Sequence, residues 1–134
     1  NHSKKVIDRF TYMQPNNGKI KNYMKTNKFS QKLLLPKWET VPNITITGIP
    51  DDYVHYSQPR SLTVRECARF QMFPDWYKFY GKRTTGGLRR AGNPLVGVFD
   101  RELPKYTQIG NAVPVGLAEA IAEHFKLILD DVGL

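Results

Sequence analysis

Thr63 and Glu66 place the tightest local constraint on this chain. A threonine followed three residues later by a glutamate, ahead of apolar residues at helical spacing, closes a reciprocal pair of hydrogen bonds across a helix start. The hydroxyl takes one free helical N–H, and the carboxylate reaches back to the N–H of the cap residue. Val64, Cys67, Ala68 and Met72 then recur on one face, which leaves Arg65, Arg69 and Gln71 to other partners. The predicted end is Phe73-Pro74-Asp75, because proline cannot continue a helix.

Elsewhere the signals are weaker. Ser3 to Phe10 has some helical character, with Val6, Ile7 and Phe10 on one side, and Pro15-Asn16-Asn17-Gly18 reads as a turn. Lys19 to Leu35 fits either a helix or irregular structure. Asn43-Ile44-Thr45-Ile46-Thr47 alternates as a strand should, closed by Gly48, and Tyr53-Val54-His55-Tyr56 suits a short second strand. Gly81 to Pro104 reads as a loop or flap with at most one hairpin strand, its apolar run being Leu95 to Phe99. Pro114 suits the first turn of a last helix. Leu117, Ile121, Phe125 and Ile128 form an apolar stripe along it, and the helix is predicted to stop near Asp130, before Gly133.

Charge is distributed unevenly. The chain of 134 residues carries a net +8 with a pI near 9.7, the footprint of nucleic-acid binding. Up to Trp38 nine basic residues face Asp8 alone, so that stretch carries +8 and the remainder sums to zero. Phe10, Tyr12, Tyr23, Phe29 and Trp38 are interleaved with these cations, which favours a surface that meets phosphates. A second basic stretch holds Lys78, Lys82, Arg83, Arg89 and Arg90. The single cysteine, Cys67, excludes an internal disulfide and a cysteine-rich zinc site and fits a reducing, cytoplasmic setting. No apolar run approaches membrane-spanning length, and His2 and His124 have no partners at metal spacing.

Two blocks carry a family resemblance. Arg60-Ser61-Leu62-Thr63-Val64-Arg65-Glu66-Cys67-Ala68-Arg69-Phe70-Gln71-Met72-Phe73-Pro74-Asp75 closely resembles motif IX of the DNA (cytosine-5) methyltransferases. Gln108-Ile109-Gly110-Asn111-Ala112-Val113-Pro114 is similar to motif X, in the family's order. Asn1-His2, Ile7-Asp8-Arg9-Phe10, Val41 to Thr45 and Val54-His55-Tyr56 look like segments bordering the family's target-recognition region.

The resemblance implies a C-terminal piece holding a region that reads double-stranded DNA, of bacterial or phage kind. It also implies that motif X crosses back to a catalytic domain and completes the S-adenosylmethionine pocket. The cofactor-binding candidates are therefore Gly110, Asn111, Ala112 and Val113, where the amides ahead of a helix would favour the cofactor's carboxylate. Candidates for DNA contact are Lys19, Lys21, Lys25, Lys28, Arg60, Arg65, Arg83, Arg89 and Arg90. Lys82 to Glu102 looks like an insertion, serving either phosphate contact or as a surface loop. The recognition stretch, Lys19 to Pro42, is short.

The family's nucleophilic P-C-Q, its E-N-V carboxylate and its glycine-rich cofactor turn do not occur in this sequence. Cys67 sits between Glu and Ala on the buried side of the capped helix and reads as a core residue. No catalytic residue and no metal ligand is therefore expected, and methyl transfer is expected only with an N-terminal catalytic half. Arg69 is expected in a structural salt bridge or backbone contact, and His55 as a strand histidine with one hydrogen bond. Trp38, Tyr53, Trp76 and Tyr80 are expected in packing, with Trp76 to Tyr80 anchoring the small domain against the catalytic one.

The fold expected is α+β. A small target-recognition domain over 1–104, with short strands and the capped helix, precedes 105–134. That second part holds motif X and a helix packed on an absent α/β methyltransferase core. A non-catalytic DNA-binding module and a truncated relic are the competing readings. A pure DNA binder has no need of Q-x-G-N-A-V-P followed by an apolar-striped helix, whereas a complementing piece does.

Overall fold

A computed structural model describes residues 2–26, 32–34, 46–50, 52–84, 93–97, 99 and 102–133. Helix α1 runs Lys4–Met13 and ends in the expected turn, where Asn17 and Gly18 take φ of 50° and 79°. Gly18 donates to the Met13 carbonyl at 2.8 Å, closing the helix in a left-handed conformation that glycine adopts without strain. The stretch after it, open to either reading in the sequence, holds a single 3₁₀ turn, Asn22–Met24, and the short strand β1, Lys32–Leu33.

Strand β2, Tyr53–Val54, pairs with β1 in parallel, Lys32 opposite Tyr53 and Leu33 opposite Val54. Successive strand side chains point to opposite faces, so this pair divides the interior into two cores. Val54 and Leu33 pack with Phe10, Met13, Val6 and Ile20. Leu34 and Tyr53 lie on the other side, with Ile46, Leu62, Cys67, Ala68, Tyr106 and Ile109. The predicted strand at 43–47 is not formed where it can be followed: Asn43 to Thr45 fall outside the described residues, and Ile46 and Thr47 are in no strand.

Helix α2, Val64–Phe70, starts where the capping box places it. Its end comes earlier than predicted. Gln71 is the C-cap, and Met72 turns into the left-handed region at φ 61°, leaving Phe73 N–H to bond the Ala68 carbonyl. Met72 therefore leaves the buried stripe for an exposed position. The described part of the long connection holds a 3₁₀ turn at Pro94–Val96, with Leu95 and Phe99 exposed, and no hairpin strand.

Helix α3, Lys105–Asn111, is not foreseen in the sequence, because its threonine, glycine and asparagine are poor helix formers. Tertiary packing overrides that preference. Tyr106 and Ile109 are buried in the same core as Leu62 and Ala68, and the Tyr106 hydroxyl donates to the Leu62 carbonyl at 2.6 Å. The expected division at 104/105 thus falls inside one core. Helix α4, Val115–Asp131, begins after Pro114, which is its N-cap instead of a first-turn residue. None of its side chains is buried, so the stripe of Leu117, Ile121, Phe125 and Ile128 is exposed as expected. Among the described residues no helix is long and apolar enough to cross a membrane.

This packing has two testable outcomes. A Cβ on Gly110 would stand 2.2 Å from the Gly48 backbone nitrogen, and neither backbone can yield. Gly110→Ala is expected to cost about 2 kcal/mol or more in thermal or urea denaturation, as overpacking does. Phe125→Glu, on the bare face of α4, is expected to leave the melting temperature unchanged while reducing self-association in light scattering.

Candidate functional site

Glu66 holds the start of motif IX together. Its carboxylate accepts the Thr63 N–H at 2.8 Å, while the Thr63 hydroxyl accepts the Glu66 N–H at 3.2 Å. Both guanidinium nitrogens of Arg60 fork onto the same carboxylate at 2.8 Å, and His55 Nε2 lies 3.7 Å from it. Chiefly the Arg60 fork, aided by the Thr63 amide and hydroxyl, holds Glu66 at about 2 although partial burial opposes this. Burial, and then the Arg60 charge, pull His55 below the usual histidine value, and Glu66 offsets part of that. His55 directly succeeds β2, and its Nδ1 accepts the Ser57 N–H at 3.2 Å, in keeping with a structural histidine.

The remaining arginines of the block brace the segment after α2. Arg65 donates to the Pro74 carbonyl at 3.3 Å and to the Tyr77 carbonyl at 2.7 Å, with its guanidinium 6.0 Å from the Phe79 ring. Arg69 forks onto Asp75 at 2.9 and 2.8 Å, the salt bridge expected of it. Phe73, Tyr77 and Phe79 cluster beneath these contacts, with ring centroids 5.0 to 5.1 Å apart. Trp76 and Tyr80, expected in packing, are 77% and 74% exposed, with the Trp76 ring tilted against that of Tyr77 at 6.1 Å between centroids. Arg60 and Arg65, counted among DNA-contact candidates, thus spend their guanidinium donors on the fold.

Gln71 links the two motifs. Its side-chain amide donates to the Ile109 carbonyl at 3.2 Å and to the Ala112 carbonyl at 3.4 Å, while its backbone carbonyl accepts the Val115 N–H at 3.0 Å. Gln108 donates to the carbonyls of Tyr80 and Leu103 at 2.9 and 2.8 Å. The Met72 thioether covers Gly116, where a Cβ would meet its sulfur at 2.5 Å. These contacts correct the expectation of an open row of amides at Gly110-Asn111-Ala112. Gly110 and Asn111 end α3, Ala112 N–H bonds the Ile109 carbonyl, and the first amide of α4 is taken by Gln71. Gly110 faces the Thr47–Gly48 backbone, which only a residue without Cβ allows. Of the four candidates, Asn111 and Val113 are exposed, and the Asn111 side-chain amide makes no hydrogen bond among the described residues.

Of the basic candidates, Lys19, Lys21, Lys25 and Arg83 are exposed, and Lys28, Arg89 and Arg90 lie outside the described residues. Lys21 Nζ sits 5.3 Å from the Tyr12 ring and 5.9 Å from that of Tyr23, so cation–π attraction holds the 3₁₀ turn against α1. Cys67 is a buried free thiol that burial pushes up to about 12, so it is not a thiolate at neutral pH. Among the described residues no three metal-ligating side chains come together. In the sequence Lys4 and Lys5 register only as charge, and nothing there announces the cleft they line with Tyr23.

Because the Glu66 carboxyl is held below its ordinary 4.5, its ionised form stabilises the fold above that pH. The contribution is lost as pH falls toward 2, and is on the order of 2 kcal/mol once solvent screening is allowed for. Denaturation midpoints are expected to fall through this window. In Glu66→Gln the acid slope is expected to flatten and the neutral-pH stability to drop.

The sequence model of the C-5 cytosine-specific DNA methylases matches residues 1–127. The chain is 30% identical to the type II methyltransferase M.DdeI of Desulfomicrobium norvegicum, over 99% of this chain and 32% of that protein. It is 47% identical to M.BspRI of Lysinibacillus sphaericus over 48% of this chain and 13% of that one. It is 39% identical to DNA (cytosine-5)-methyltransferase 1 of Mus musculus over 67% of this chain and 4% of that one. The chain spans about a third or less of the curated relatives it matches. No solved structure matches. With both motifs locked into one packed unit and the match running over nearly the whole chain, the protein belongs to the C-5 cytosine-specific DNA methylase family.

Proposed function

We propose that this chain is the DNA-binding, cofactor-facing C-terminal portion of a DNA (cytosine-5) methyltransferase, acting only with an N-terminal catalytic half. The observation that carries this reading is the pairing of a closed motif IX–motif X junction with a helix that leaves it uncovered. Gln71 binds both sides of the motif X turn, so α4 projects in a defined direction, and its bare apolar stripe is suited to the catalytic half. A self-sufficient DNA-binding module gains nothing from such a helix.

S-adenosylmethionine would supply the methyl group. The residues here fit one edge of it: Asn111 offers a side-chain donor and acceptor beside the exposed Val113. Gly110 and Ala112 serve that edge by holding the turn against Gly48 and Gln71. Lys19, Lys21, Lys25 and Arg83, all exposed, would meet DNA phosphates, as would Lys28, Arg89 and Arg90. The attacking thiolate belongs to the other half, since the single cysteine here is buried and protonated.

The test mixes chains. This chain alone, incubated with duplex DNA and labelled S-adenosylmethionine, is expected to yield no methylated cytosine. Adding a relative's or its own N-terminal half, carrying the P-C-Q cysteine, is expected to restore transfer, and Ile121→Glu in α4 is expected to abolish that restoration. Methylation by the chain alone, or no transfer when both halves are present, overturns the reading.

A further inference from the structure

A cleft of about 530 Å³ opens between the first turns of α1 and the 3₁₀ turn at Asn22–Met24, apart from both motifs. Lys4, Lys5, Asp8 and Arg9 form one wall, and Tyr23 and Met24 the other. Its size falls within the range of small-ligand clefts, roughly 300–1,000 Å³.

The charges in it make poor sense as scaffolding. Lys4 and Lys5 stand in the first turn of α1, where positive charge opposes the helix dipole. Lys4 and Asp8 have the spacing to pair, yet among the described residues neither they nor Lys5 join an ion pair. An anion between the lysines would reverse these costs. Facing them, Tyr23 is 73% exposed, with Lys21 drawn to its ring and to that of Tyr12, so that the turn carrying it is fixed. An exposed aromatic ring held beside cations is the arrangement that receives a stacked base together with its phosphate.

We infer that this cleft binds one phosphorylated nucleotide, its base against Tyr23 and Met24 and its phosphate between Lys4 and Lys5. Asp8 stands where it can accept a hydrogen bond from a base amine. The inference goes beyond the proposed function, because a duplex whose bases stay stacked offers the cleft no such unit.

Binding of the chain to a short labelled unpaired DNA strand and to the matching duplex, measured by fluorescence anisotropy, tests it, with Tyr23→Ala and the double variant Lys4→Gln/Lys5→Gln. All three side chains are exposed, and circular dichroism checks that the variants fold. Tyr23→Ala is expected to weaken strand binding about tenfold while duplex binding changes less than about twofold. The lysine variant is expected to weaken strand binding as well. Competition by adenosine monophosphate that depends on Tyr23 assigns the site to free nucleotides, and its absence assigns it to a nucleotide within a strand. Strand binding unchanged in Tyr23→Ala, or strand and duplex weakened alike, overturns the inference. Persisting wild-type duplex binding in that case leaves the DNA-binding reading standing.

Discussion

The fold depends on the carboxylate of Glu66. One side chain closes the cap of α2, takes the Arg60 fork and stands beside His55, so it joins the end of β2, the loop after it and the helix start. Each contact alone is modest. Their convergence on a single partly buried anion makes them interdependent, since removing it leaves a guanidinium and an amide to find other partners. At the other end of the same short helix, Gln71 plays the matching part with neutral hydrogen bonds to the carbonyls of Ile109 and Ala112. Helix α2 is therefore a spacer of fixed length between the strand pair and motif X.

The local features are the ones legible in the sequence. The capping box, the turn at Asn17-Gly18 and the exposed stripe of α4 each involve residues a few positions apart, and all three are present. Contacts between distant segments are not legible. Nothing near Gly110 announces that it meets the Gly48 backbone. The same holds for Met72, whose left-handed conformation and cover over Gly116 come from the junction it occupies. Helix α3 escapes a sequence reading because Thr107, Gly110 and Asn111 argue against a helix that burial of Tyr106 and Ile109 enforces.

The candidate site is legible in kind but not in placement. The two motif blocks lead to the family, and the basic N-terminal stretch supports the nucleic-acid contact proposed for it. Yet the arginines of motif IX, attractive as phosphate contacts, are consumed by Glu66, Asp75 and the carbonyls of Pro74 and Tyr77. The lysines Lys19, Lys21 and Lys25 stand open instead. A guanidinium's planar fork finds carboxylates and carbonyls within its own fold more readily than a lysine's point charge does.

The division of the interior by β1 and β2 has a consequence for how such a chain diversifies. Among the described residues Val6, Phe10, Met13 and Ile20 pack on the Val54 face of the strand pair, while the motif junction is built on the other face. Substitutions that reshape the lysine-rich front can accumulate against Phe10, Met13 and Val54 without disturbing Leu62, Tyr106 or Ile109. The two-residue ladder thus works as a seam between a front that can vary and a motif junction that need not change with it.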